Sequence, residues 1–171
     1  MTRQAACHCG KLVLRCTGEP FKVSLCHCFD CQRRTGSLFS IAAFFPQAVL
    51  ELVNGTASSF SRPSASGFDV KFNFCPECGS NLWWEPARLP HLVGIAVGSF
   101  AERDFPMPHQ AVWAEARHPW LELPGELSTH ARNPAATREV DDRYTPIMLC
   151  GEGPEAPLVK LARRGSLRSP R

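Results

Sequence analysis

Seven cysteines in three tight groups constrain this chain more than any other feature of its 171 residues. The groups are Cys7-His8-Cys9-Gly10, then Cys26-His27-Cys28-Phe29-Asp30-Cys31, then Cys75-Pro76-Glu77-Cys78-Gly79. Cys16 and Cys150 stand apart and bring the total to nine. The chain reaches Cys7 without an apolar run, so a secretory signal of the usual form is not expected. No stretch approaches 18 uninterrupted apolar residues, so a membrane-spanning helix is not expected either. The expected location is the cytoplasm, where thiols stay reduced and clustered cysteines serve as metal ligands or reactive groups. The odd count also argues against a fully paired disulfide framework.

The third group reads as a knuckle: two cysteines two residues apart, with Pro between and Gly after, aimed at one point. A closed zinc site needs four ligands at about 2.3 Å in a tetrahedron, so a second pair must come from elsewhere. Cys7 and Cys9 can supply it, since residues i and i+2 of an extended strand face the same side. Reduced core thiols are the plainer alternative for Cys75 and Cys78. A thioredoxin-type redox pair needs a βαβ setting that the sequence does not show. The second group offers three thiolates, an incomplete tetrahedron that leaves one position for water or substrate. An exogenous thiol suits that position, because zinc lowers its pKa from about 8.5. A closed site with Cys16 or a histidine remains open, as does a permuted pairing between groups. His8 and His27 alternate with ligand cysteines and are expected to face away from the metal. His91, His109, His118 and His130 lack ligand spacing, although His109 precedes a short strand that can border a pocket.

Around these groups run short apolar stretches broken by turn residues. Phe68, Val70, Phe72 and Phe74 alternate with Asp69, Lys71 and Asn73, and similar short runs recur to about residue 113. This period of two, with aromatic and β-branched residues, predicts strands and a mainly β sandwich or open barrel, with no strong helical stripe. Beyond Glu126 the periodicity fades among prolines, and 126–171 is expected to be a poorly structured extension with at most a short helix over 158–164. Charge divides in the same way. The net charge is +3, but 160–171 holds five basic residues and no acidic one, which leaves 14 basic against 16 acidic before it. Five charges without interleaved aromatics are thin support for nucleic-acid binding.

The three cysteine groups in this order, with Arg33-Arg34-Thr35-Gly36-Ser37 after the second, resemble the glutathione-dependent formaldehyde-activating enzyme family, which also includes centromere protein V. The resemblance covers about residues 3–123. It implies a β-tent-type sandwich of short antiparallel strands organised around two zinc ions. Carried over to this sequence, Cys7, Cys9, Cys75 and Cys78 would hold a structural zinc. Cys26, Cys28 and Cys31 would hold a catalytic zinc that is the more labile of the two. The implied activity is that of a carbon–sulfur lyase, an S-(hydroxymethyl)glutathione synthase, with glutathione or another small thiol and an aldehyde as partners. Arg33 and Arg34 either pair with a glutathione carboxylate or are solvated surface charge. The competing reading is a non-catalytic zinc-binding interaction module. No oligomeric state is implied.

Overall fold

In the computed structural model the residues described are 1–125 and 127–134. They lie within the first of the two units into which the chain divides, Met1–Ala135. Eleven strands and one α-helix follow in chain order: β1 (Thr2–Ala6), β2 (Val13–Thr17), β3 (Lys22–Cys26), α1 (Phe29–Thr35), β4 (Ser40–Pro46), β5 (Leu50–Asn54), β6 (Ser58–Pro63), β7 (Asp69–Phe74), β8 (Asn81–Pro86), β9 (Leu92–Ala96), β10 (Gln110–Val112) and β11 (Ser128–Thr129). The architecture is mainly β, as the alternating pattern requires. A three-stranded sheet has the order β1-β2-β5, and an eight-stranded sheet has the order β11-β10-β3-β4-β9-β8-β7-β6. Neighbours are antiparallel except where β10 pairs parallel with β3 and β11.

Alternation gives the large sheet two different faces. On one face Val23, Ala43, Phe45 and Ile95 are fully buried, packed with Leu82, with Ala5, Leu14 and Cys16 of the small sheet and with Leu12 of its β1–β2 turn. Fully burying side chains of this size contributes about 1.5–3 kcal/mol each, and this layer joins the two sheets. Cys16 is a thiol of this core, raised to about 12 by burial, and it joins neither cysteine group.

The other face carries Lys22, Ser24 and Cys26 of β3, Ser40, Ala42 and Phe44 of β4, Val70 and Phe72 of β7, and Trp84 of β8, all lining one cavity. Gly94 makes this face possible. A Cβ there would stand 2.6 Å from the Trp84 indole nitrogen, so only glycine lets the indole lie on β9. The expected alternation holds for Val70 and Phe72, which share the cavity. It breaks at a bulge between Asn73 and Phe74. Asn73 is buried there, donating to Glu85 Oε1 at 3.0 Å and accepting from the Ser59 hydroxyl at 2.9 Å.

The helix α1 departs from the sequence expectation. It has seven residues, none buried, so no apolar stripe announces it. Its ends are nonetheless well marked. The Cys28 side chain caps its start, and Gly36 at φ 66° closes it in the left-handed region that glycine adopts without strain.

Residues 127–134, assigned to the extension by sequence, contribute Leu127 to the buried set and β11 to the edge of the large sheet. Pro134 O accepts from the Arg88 guanidinium. The remaining expectations for the extension, including a helix over 158–164, lie outside the described residues, as does Cys150.

Candidate metal centres and the adjoining cleft

The four-thiol group forms where two hairpin turns meet. The turn from β1 to β2 carries Cys7 and Cys9, and the turn from β7 to β8 carries Cys75 and Cys78. The two turns have the same design. Gly10 N–H donates to Cys7 O at 2.9 Å with φ 74°, and Gly79 N–H donates to Cys75 O at 2.9 Å with φ 73°. Cys7 and Cys9 therefore converge by a glycine-closed turn rather than by the extended strand expected from their spacing. Leu12 N–H donates to Cys7 Sγ at 3.2 Å, the kind of backbone contact that favours a thiolate. The Ser80 hydroxyl and N–H pull the Cys78 thiol down to about 5. Ser80 Oγ also accepts from His8 N–H at 3.1 Å, tying one turn to the other.

The spacing fits zinc. Cys7 Sγ and Cys9 Sγ are 3.5 Å apart, and Cys9 Sγ and Cys75 Sγ are 3.8 Å apart. A tetrahedron with about 2.3 Å zinc–sulfur bonds has edges of about 3.8 Å. All four Sγ atoms lie within 4.8 Å of one another. Four thiols this close cannot ionise together without a cation to offset their repulsion.

The three-thiol group comes from one short stretch. Cys26 ends β3, Cys28 caps α1, and Cys31 lies in the first turn of that helix. Their sulfurs also lie within 4.8 Å of one another. The Cys28 thiol is held far below the ordinary range because Cys26 and Cys31 both donate to it, helped by the N–H groups of Cys31 and Asp30. Cys26 is pushed strongly upward by Cys28 and Cys31 and by burial. For Cys31, the bond with Cys26 favours the thiolate, but Cys28 and burial push the other way and leave it at about 11. Three thiols this close cannot all ionise without a cation to offset their repulsion. A divalent cation supplies that offset, so this donor set also fits zinc.

The surroundings of the two groups differ. Cys26, Cys28 and Cys31 open onto a cavity of about 170 Å³ on the second face of the large sheet. This is small against sites that enclose a drug-sized ligand, so an occupant as large as a tripeptide would be partly exposed. Arg34 is built into its wall. Its guanidinium donates to Asn81 Oδ1 at 2.6 Å and Ser40 Oγ at 2.8 Å, and it lies 4.4 Å from the Trp84 ring centre and 5.2 Å from that of Phe72. Arg33, one residue earlier, is exposed. Asp30 binds Arg62 at 2.7 Å and Ala65 N–H at 3.2 Å, which fixes the β6–β7 turn against α1.

Neither histidine between the cysteines faces a sulfur cluster as a ligand. His8 is exposed. His27 is fully buried, edge-on to Phe39, with no hydrogen-bond partner on either ring nitrogen among the described residues. Burial lowers its pKa and keeps it neutral. His109 Nδ1 accepts from Val23 N–H at 3.1 Å, which secures β3 rather than a cavity. His118 meets Gln32 at 3.3 Å, and Gln32 in turn donates to His27 O at 2.7 Å beneath the three-thiol group. Sequence reasoning did not single out Lys22, Asp30, Arg62 or Arg88 as cleft residues. Only Lys22 carried a signal, since it lies four residues before Cys26 on the same strand face.

A β-sandwich with two cysteine clusters spaced for metal defines the class. The family model "Glutathione-dependent formaldehyde-activating enzyme" matches residues 2–116, and this chain belongs to that family. A Halomonas elongata protein named "Putative glutathione-dependent formaldehyde-activating enzyme" is 26% identical over 129 residues, covering 72% of this chain and 82% of that protein. A Rhodobacter sphaeroides protein of known crystal structure is 23% identical, with a TM-score of 0.45 over 56% of this chain and 85% of that one. Among the described residues no helix is long and apolar enough to cross a membrane.

Proposed function

We propose that the chain is a carbon–sulfur lyase that makes and breaks the bond between glutathione sulfur and formaldehyde carbon. The observation that carries this reading is the open cavity beside three, not four, convergent thiols. On this reading Cys26, Cys28 and Cys31 would hold a catalytic zinc, and Cys7, Cys9, Cys75 and Cys78 would hold a structural one. Zinc at the three-thiol group would supply Lewis acidity that keeps an incoming thiol ionised at neutral pH.

The chain's own residues position the reactants. Cys28 is fixed by the helix start it caps, so the ligand set keeps its geometry without substrate. Arg34 is locked by two hydrogen bonds and two aromatic faces, and it presents a permanent positive charge to the cavity. That charge suits the oxygen that becomes negative when thiolate sulfur adds to the carbonyl carbon. The new C–S bond forms as the C=O π pair moves to oxygen, and water supplies the proton. In reverse, the alkoxide reforms the carbonyl and the C–S pair returns to sulfur. The Phe72 and Trp84 walls exclude part of the solvent from this event.

A non-catalytic zinc module has no use for such a cavity beside its metal ligands. The two readings are separated by following exchange between glutathione, formaldehyde and S-(hydroxymethyl)glutathione by NMR. Micromolar protein is expected to accelerate exchange above the spontaneous rate, and Cys28→Ser to return it to that rate. Equal rates with and without the wild-type protein would exclude the formaldehyde reaction.

A further inference from the structure

The cleft also carries two cations that the proposed chemistry does not use. Lys22 begins β3 and Arg88 lies in the β8–β9 turn, and both line the cavity. Among the described residues neither forms an ion pair with a carboxylate. This sets them apart from Arg62, which is paired with Asp30. The Lys22 ammonium lies 5.1 Å from the Phe44 ring centre, and the Arg88 guanidinium is anchored on Pro134 O. Burial, and then the nearby Arg88 charge, lower the Lys22 pKa. Two half-buried cations that repel one another are relieved by an anion between them.

Strand geometry sets the distance of this pair from the chemistry. Lys22, Ser24 and Cys26 share one face of β3, and four residues at about 3.3 Å each span about 13 Å. Ser24 between them accepts from Gln110 Nε2 at 3.1 Å, so the path is lined but not blocked by charge. In a γ-glutamyl tripeptide thiol the sulfur and the farther terminal carboxylate are about nine bonds apart, a reach of about 10 Å, and a hydrogen bond of about 2.8 Å to the cation covers the rest. We propose that Lys22 and Arg88 form a carboxylate-binding subsite that selects elongated thiols, with sulfur at Cys26, Cys28 and Cys31 and a terminal carboxylate at the far end. This rests on the lyase reading for the thiol end. Arg88 offers the planar fork that fits a carboxylate, and Lys22 adds a point charge.

Binding to the protein as purified, read through the fluorescence of the cavity residues Trp84 and Trp113, tests the proposal. The probes are glutathione, glutathione diethyl ester and S-methylglutathione, whose blocked sulfur leaves its affinity to report the carboxylate end. The diester is expected to bind about tenfold more weakly than glutathione. K22M keeps the apolar stem over Phe44 and is expected to weaken S-methylglutathione about tenfold while leaving the diester unchanged. R88Q is expected to do the same, and K22R to retain wild-type binding. Equal affinity for acid and diester, no measurable binding of S-methylglutathione, or K22M and R88Q indistinguishable from wild type would overturn the subsite. The outcome is separable from that of the reaction. Charge-dependent binding without accelerated formaldehyde exchange overturns the lyase and keeps the subsite. Equal acceleration for glutathione and its diester at limiting thiol does the reverse.

Discussion

Cys7, Cys9, Cys75 and Cys78 come from two hairpin turns on different sheets, whereas Cys26, Cys28 and Cys31 come from six consecutive residues. A metal in the first group closes a loop of more than 60 residues and pins the small sheet to the large one. A metal in the second group closes almost no loop and holds one strand end against one short helix. The number of sulfurs follows the same division. Four fill a tetrahedron and exclude other ligands, while three beside a cavity leave a place for substrate. On the proposed reading one chain would use the same donor atom for holding sheets together and for chemistry, with the difference lying in which segments supply it.

That contrast can be broken at several points. Cys75→Ser is expected to lower stability by about 3 kcal/mol or more, a large part of the ~5–15 kcal/mol that holds a domain folded. The melting temperature should fall by about 10 °C. Cys28→Ser is expected to abolish formaldehyde exchange with a much smaller shift in melting. Equal melting losses in the two variants would show that both groups hold the fold.

Metal release gives the next largest effect. A chromogenic chelator is expected to take one zinc from the folded protein, in a phase that glutathione competes with. The second should leave only as the protein unfolds. Two identical, thiol-insensitive phases would favour the interaction-module reading.

Gly94→Ala tests the cleft without touching a cysteine. The added methyl would meet the Trp84 indole at 2.6 Å and move it off Arg34. The expected cost is about 1–3 kcal/mol in stability, with weaker thiol binding and an intact four-thiol site. Urea denaturation and zinc content check the two halves of that statement. The smallest effect is expected for Asp30→Asn. It breaks the part-exposed pair with Arg62 and should cost less than about 1 kcal/mol, because solvent screens such pairs.

The two convergent cysteine groups were legible in the sequence because ligand spacing is local. Cys75-Pro76-Glu77-Cys78-Gly79 can do little else than turn. The strands were legible for the same reason, since alternation at Phe68–Phe74 is a local pattern even where a bulge at Asn73 interrupts it. What the sequence hid is long-range or unpatterned. The helix α1 buries nothing and so leaves no stripe. The role of Arg34 depends on Asn81, Phe72 and Trp84, which lie 38 to 50 residues away. Arg88 sits in a turn whose sequence says nothing about the cleft. The Cys7-His8-Cys9 spacing suits a strand or a turn equally, and the Gly10 φ of 74° decides for the turn.

The division between the two cysteine groups is tested most directly by counting zinc. The measurement is metal per chain by native mass spectrometry on wild type and on Cys28→Ser, each purified without added metal. Two zincs in wild type and one in a folded Cys28→Ser are expected. A Cys28→Ser protein that retains two zincs, or that loses both along with its fold, would contradict the separation of a holding site from a reacting one.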